Sequence, residues 1–341
     1  MSIKGLGPHG ERASPPERVT LLPEDIKIAR DLELSVCIVM HTMQSDWSKL
    51  LVQGLVGTLG DCGVSVTEVA DSNFSPEKQA AALNHFIAER PNAIISLPVA
   101  NADVADAHKR VSAAKIPLML VDNVPTGLLP GKHYASLVSA DNFGLGQLAA
   151  ELLSNQVSKN APLGVIGYEA DFYVTNEREI AFNLWMQANR PNQEVSTRRF
   201  KSFSDIPDLI DSLLTEQPEL SGLFVVWDTP CEVALEALAR RGLEIPTTTV
   251  DLGKTVAVNL ANGGPIVGIA AQRPFRQGVT VAKALITELL GRRCPDWIAL
   301  PGVAVALDTV VQHYQAIWRE PMPNGELNSL NKRFKMIRGT L

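Results

Sequence analysis

Six polar or aromatic residues stand at the ends of apolar runs: His41 after Met40, Asp122 and Asn123 after Val121, Trp227 and Asp228 after Val226, and Asp251 after Val250, with Trp47 close behind His41 in HTMQSDW. Carboxylates, an amide and indoles in such positions suit a polyhydroxylated small molecule. A carboxylate accepts hydrogen bonds from neighbouring hydroxyls, and a flat ring covers the C–H face of a sugar. Paired carboxylates can also hydrolyse a glycosidic bond by acid and base action. No nucleophile elbow, metal-ligand helix or phosphate loop accompanies them here. Binding is therefore expected rather than catalysis, with no catalytic residue, no metal and no cofactor.

Each residue also has a plainer reading. Asp122 and Asp251 could cap helices or form structural ion pairs, although a carboxylate at the end of a buried strand is costly unless it is paired. Trp47 and Trp227 could be core aromatics, and Trp185, inside an amphipathic pattern, is assigned to packing. His41 serves either a ligand or a structural hydrogen bond. Asp228 either touches ligand or orients Trp227 or Arg178, and Asp46 either caps the helix opening at Trp47 or binds. The stretch Gly144-Leu145-Gly146 imitates half of a dinucleotide fingerprint. It lacks the third glycine, and the first sheet is expected to be complete before it, so a nicotinamide enzyme is disfavoured.

The elements that must position these residues alternate along 341 residues, enough for two cores. A short helix is predicted at Pro23–Leu32. Strands are predicted at Ser35–Met40, Val64–Ala70, Ala93–Leu97 and Leu118–Val121, separated by helices at Trp47–Asp61, Pro76–Glu89 and Ala102–Ala114. The pattern restarts after Tyr134–Asp141 with strands at Leu163–Tyr168, Val195–Phe200, Gly222–Val226, Thr248–Val250 and Ile266–Ala271. Its helices are predicted at Gly144–Ser154, Thr175–Asn189, Ser204–Thr215, Cys231–Arg241 and Phe275–Leu290. Strands alternating with helices imply parallel βαβ units, and continuous apolarity implies sheets covered on both faces. Ligands of such sheets bind outside the carboxyl ends of the strands. The expected fold is α/β: two similar Rossmann-like lobes with parallel sheets, three hinge crossovers and a ligand cleft between them.

Composition narrows the partners. The net charge is −6 with charges interspersed, so no basic patch marks a nucleic-acid partner. No apolar run approaches a membrane span. Cys37, Cys62, Cys231 and Cys294 are scattered without metal-ligand spacing; Cys37 reads as a buried small hydrophobe, and a disulfide stays open. Residues 1–21 carry Gly, Pro and charge but no apolar core of a signal peptide. The chain is thus either cytosolic or has had a signal removed.

The stretches VMHTMQSDWSKLLVQGL, ADSNFSPEKQ, ISLPVANADV, IPLMLVDN, SADNFGLG, NEREIAF, LFVVWD and GIAAQRPFRQG follow one another from Ser35 to about Asp308. In order and spacing the chain resembles type I periplasmic sugar-binding proteins, the ribose- and galactose-binding group that serves ABC importers. The resemblance implies ligand contacts from His41, Ser45, Trp47 and Asp122 in the first lobe. From the second lobe it implies Arg178, Phe203, Trp227, Asp251 and Gln272, and it makes the glycines of DNFGLG relaxers of a crossover turn. Asn123 stands where ribose binders carry an arginine and Trp227 where they carry an asparagine, which argues against ribose itself.

The expected function is capture of a neutral monosaccharide or sugar alcohol and its delivery by lobe closure to the membrane permease of an ABC importer. A periplasmic monomer with its signal peptide removed and no nucleic-acid partner is expected. The first lobe is read as 35–139 plus 273–301 and the second as 140–272 plus 302–325, with an N-terminal extension over 1–34 and a C-terminal tail over 326–341. Hinges are expected at Ser139–Asn142, Gln272–Arg273 and Pro301–Ala304. The alternative is the effector-binding domain of a sugar-responsive transcription regulator. Its DNA-binding domain would precede the first strand, where only 34 Pro- and Gly-rich residues stand.

Overall fold

The computed structural model describes residues 2–322, so the C-terminal tail expected over 326–341 lies outside the described residues. The chain divides into two compact units. Among the described residues, unit 1 holds everything up to Asp141, together with Ala170–Val174 and Arg273–Pro301; unit 2 holds Asn142–Glu169, Thr175–Gln272 and the residues from Gly302 to Met322. The N-terminal segment 1–34 is part of unit 1.

In unit 1, α1 (Pro23–Asp31), β1 (Ser35–Met40), α2 (Asp46–Asp61), β2 (Ser65–Asp71), α3 (Pro76–Glu89), β3 (Ala93–Ser96), α4 (Ala105–Ala113), β4 (Leu118–Val121) and β5 (Ser136–Ala140) follow one another. Unit 2 takes α5 (Asn142–Ser154), β6 (Leu163–Tyr168), α6 (Tyr173–Asn189, whose first two residues belong to unit 1), β7 (Val195–Phe200), α7 (Ile206–Glu216), β8 (Gly222–Val225), α8 (Asp228–Ala239), β9 (Thr247–Val250), α9 (Lys254–Asn262) and β10 (Ile266–Ala271). The chain returns to unit 1 for α10 (Pro274–Leu289) and β11 (Trp297–Leu300), then ends in unit 2 with β12 (Val303–Val305) and α11 (Val310–Trp318). Among the described residues no helix is long and apolar enough to cross a membrane.

Each unit is built on one six-stranded sheet: β11-β5-β4-β3-β1-β2 in unit 1 and β12-β10-β9-β8-β6-β7 in unit 2. Every pairing is parallel except that of β12, an antiparallel edge beside β10. Alternate residues of β1 explain its unbroken apolarity. Val36, Ile38 and Met40 enter the core on one sheet face, and Cys37 and Val39 enter the core on the other. Period-two side chains with both faces covered leave no place for a polar residue until the strand ends. All four cysteines are buried and free.

Several expectations are corrected. β5, β11, β12, α9 and α11 were not anticipated, and the first sheet is not complete before Gly144, because β11 joins it at the far end of the chain. Helix α2 starts at Asp46 and is capped by Ser45, whose Oγ accepts from Ser48 N at 3.1 Å, so Asp46 is not the cap. Gly144 and Gly146 lie inside α5 and not in a turn. A Cβ on Gly146 would meet the Arg178 carbonyl oxygen at 2.2 Å, so this glycine lets α5 and α6 touch backbone to backbone. Gly54 on α2 and Gly278 on α10 do the same: added Cβ atoms would meet Phe275 O at 2.2 Å and Leu51 O at 2.1 Å.

Candidate functional site

Topology decides which residues can meet a ligand. Both sheets share one strand order, and the sequence-predicted residues stand after the carboxyl ends of their strands or in the helices that follow. Asp122 follows β4, the fourth strand of its unit, and Asp251 follows β9, the fourth strand of the other.

These two aspartates are built alike. Their φ angles are 59° and 73°, in the left-handed region that Asp tolerates better than most residues. The amide of each stays tied to the neighbouring strand, Asp122 N to Val138 O and Asp251 N to Ala270 O, both at 3.1 Å. Each Oδ1 accepts a buried glutamine amide at 2.7 Å, from Gln277 Nε2 for Asp122 and from Gln272 Nε2 for Asp251. Backbone strain of this kind persists only where surrounding contacts enforce it, and it gathers at functional sites.

In unit 1, His41 leaves β1 with its ring edge-on to Trp47 and Phe74, at centroid distances of 5.9 and 5.2 Å. Burial lowers His41 to about 4, so its imidazole is neutral, and its Nδ1 is buried without a partner. Trp47 Nε1 is likewise buried and unpartnered. Asn123 is fully buried and donates through Nδ2 to Pro98 O and Ala100 O, both at 3.4 Å, while its Oδ1 has no partner. The Ser45 hydroxyl is engaged with Ser48 Oγ at 2.8 Å besides capping α2. Orphaned buried polar atoms cost free energy, and four of them (His41 Nδ1, Trp47 Nε1, Asn101 Oδ1 and Asn123 Oδ1) lie on the segments following β1, β3 and β4.

In unit 2, Arg178 on α6 is buried. It donates through Nε to Asn142 Oδ1 and through Nη1 to Val226 O, both at 3.0 Å, and stands 3.6 Å from Asp251 Oδ2. Asp228 is the first residue of α8, with Trp227 at its N-cap position. Its Oδ1 accepts from Thr229 N at 2.7 Å, and Gly253 leaves it room, since a Cβ there would lie 2.4 Å from its Oδ2. Burial, with the charge of Asp251 added, pushes Asp228 up to about 8. Burial also pushes Asp251 up, against the opposing pull of Arg178 and Gln272. At neutral pH Asp228 thus holds its proton and can donate, whereas Asp251 faces a guanidinium.

An aromatic wall completes this set. Trp227 packs among Tyr168, Phe200 and Phe203, with centroids at 5.4, 5.3 and 6.1 Å. Phe203 keeps 37% of its surface exposed. The structure therefore gathers His41, Ser45, Trp47, Asp122 and Asn123 at one end of the unit 1 sheet. It gathers Arg178, Phe203, Trp227, Asp228, Asp251 and Gln272 at the corresponding end of the unit 2 sheet. Sequence reasoning missed Gln277, Asn101, Asn142 and Tyr168. Asn101, Asn142 and Gln277 stand in the quoted ISLPVANADV, SADNFGLG and GIAAQRPFRQG stretches and could have been found there.

Comparison with known proteins bears on the same arrangement. A family model described as periplasmic binding protein domain matches residues 36–293. The ribose import binding protein RbsB of Bacillus subtilis is 22% identical over 273 residues, covering 79% of this chain and 86% of that protein. An ABC transporter solute-binding protein from Agrobacterium vitis, solved with α-D-tagatopyranose, aligns with a TM-score of 0.77 at 20% identity. The alignment covers 85% of this chain and all of that one (100%). Another from the same organism, solved with allitol, gives a TM-score of 0.71 at 22% identity over 83% of this chain and 98% of that one.

Proposed function

Because the chain belongs to the periplasmic binding protein domain family, we propose that it captures a neutral monosaccharide or sugar alcohol for an ABC importer. The observation that carries this reading is the matched pair of strand-end aspartates, Asp122 and Asp251. Each is held in a left-handed backbone and anchored through Oδ1 by a buried glutamine amide. Two such carboxylates grip vicinal hydroxyls of one ligand. Trp47 and Trp227 cover its C–H faces, and His41, Asn123, protonated Asp228 and Arg178 bond the remaining hydroxyls. Ser45, already engaged in capping α2, orients Trp47 through the first turn of that helix.

A ligand held by residues from both units favours the bound conformation through its differential affinity for it. The carrier acts in the periplasm as a monomer and hands its ligand to the membrane permease. Asn123 and Trp227, which depart from the ribose pattern, favour a ligand other than ribose. A sugar acid or phosphate is disfavoured, because Arg178 already faces Asp251.

A thermal-shift screen over pentoses, hexoses, tetritols, pentitols, hexitols and sugar acids, with sugar phosphates and NAD as controls, tests the reading. A ligand at 100 times its dissociation constant adds about 2.7 kcal/mol of stability. One neutral sugar or polyol raising the melting temperature is the expected result. A shift only with NAD or a sugar phosphate contradicts it.

A further inference from the structure

Unit 1 carries a concavity that the sugar-site residues do not line. Its volume is about 610 Å³, within the range of small-molecule sites, and it is bounded by the N-terminal segment, the start of α10 and the end of β11. The N-terminal segment is fixed there rather than draped. Ser14 N donates to Trp297 O at 2.9 Å and Ala299 N donates to Ser14 O at 3.2 Å, adding a short rung beside β11. The amides of Lys4 and Gly5 donate to the Asp141 carboxylate at 2.7 and 3.0 Å, and the Tyr173 hydroxyl donates to Leu6 O.

The charge of this concavity opposes that of the chain. Lys4, Arg12, Arg273 and Arg276 line it, and among the described residues Glu17 is the only acid in its lining, with the Asp141 carboxylate turned to the Lys4 and Gly5 amides. Glu17 is taken by Arg276 at 2.9 Å. Among the described residues Lys4, Arg12 and Arg273 have no carboxylate partner, although the chain as a whole carries a net charge of −6. Arg273 is half-buried beside Arg276, and burial and that neighbouring charge both weaken its hold on its proton. Arg273 and Pro274 also open α10, whose amino end adds a positive partial charge on the same side. The half-buried Arg273 and its neighbour Arg276 repel each other, and a multivalent anion that guanidinium forks bind in bidentate fashion relieves that repulsion, with the exposed Lys4 and Arg12 within the same lining.

We propose that this concavity is a second ligand site, for a small molecule bearing phosphate-type anionic groups. The shared chemistry fits both a soluble phosphorylated compound and a phospholipid headgroup. Its lining shares no residue with the sugar site, although Arg273 directly follows Gln272, and its argument does not use the reading above.

Calorimetric titration of inorganic pyrophosphate into the full chain in a phosphate-free buffer tests it, alongside co-sedimentation with phosphatidylcholine vesicles doped with phosphatidic acid. Saturable binding of one pyrophosphate, weakened at least tenfold in Arg12→Gln/Arg273→Gln and unchanged in Arg241→Gln, is the expected result and assigns a soluble anion. Vesicle binding lost in the same double variant assigns a headgroup. Lys4→Gln/Arg12→Gln changes only exposed side chains and keeps the test readable should Arg273 matter for folding. Trp227→Ala retains pyrophosphate binding whatever it does to sugars. No binding of either probe, or binding that the charge variants leave unchanged, overturns the site.

Discussion

Replacing Gln277 separates positioning of Asp122 from mere packing. Gln277 is fully buried on α10, and its amide donates to Asp122 Oδ1 at 2.7 Å and to Val138 O at 3.3 Å, while its own Oε1 has no partner. Gln277→Leu removes a hydrogen bond to a charged group, worth ~1.5–3 kcal/mol, but also removes an unsatisfied carbonyl whose burial costs ~1–3 kcal/mol. The two effects nearly offset, so the urea midpoint falls by less than about 2 kcal/mol in equivalent stability. Gln277→Glu keeps the shape and sets a second carboxyl against Asp122. Two charges about 4 Å apart repel by ~4 kcal/mol at an effective dielectric of about 20, so the pair must share a proton. A carboxyl whose folded pKa is raised costs stability as pH climbs from its unfolded value through its folded one. Gln277→Glu should therefore approach the parent near pH 5 and lose several kcal/mol by pH 8. Urea unfolding followed across that range reads the difference. Equal, pH-independent losses for the Leu and Glu variants would refute the account of Gln277 as the anchor of Asp122.

Asp228 gives the opposite sign of intervention. With its folded pKa near 8 against 3.8 unfolded, it removes up to about 1.4 kcal/mol of stability per pH unit across that window. Asp228→Asn should flatten the slope and be the more stable protein above pH 8, as denaturation at pH 5 and pH 8.5 would reveal. Trp227→Ala should weaken the ligand found in the screen about tenfold, the ~1.5 kcal/mol of one shielded apolar face, by calorimetry. Gly146→Ala should cost ~1–3 kcal/mol by forcing α5 off the Arg178 backbone and should weaken ligand binding with it. Gly57→Ala, in α2 with open space around it, should stabilise by ~0.5–1 kcal/mol.

Strands β1, β4, β6, β7 and β10 were legible because burial on both sheet faces or bounding turns leave a sharply delimited run. β5 (SLVSA) escaped because two of its residues are serines whose hydroxyls are engaged by distant partners: Ser136 donates to Pro295 O, and Ser139 accepts from Trp297 Nε1 while donating to the adjacent Ala140 O. β11 and β12 are four and three residues long and owe their pairing to partners more than 30 residues away in sequence. The strand-end aspartates were legible because a carboxylate after a buried run is conspicuous. Gln277 was not, since a glutamine within an amphipathic helix reads as solvent-facing, whereas this one is fully buried and donates to Asp122 Oδ1 and Val138 O. The raised pKa of Asp228 was equally hidden, because it depends first on burial in the fold and then on a neighbour 23 positions away, Asp251.

The most direct test titrates the ligand found in the screen into Asp122→Asn and, separately, into Asp251→Asn. Asparagine tolerates the left-handed backbone at both positions, so the substitution removes charge and leaves the conformation. If both carboxylates grip one ligand, each variant folds as the parent does and loses tenfold or more in affinity, the ~1.5–3 kcal/mol of a hydrogen bond to a charged group. Unchanged affinity in either variant would contradict a site that draws on both units.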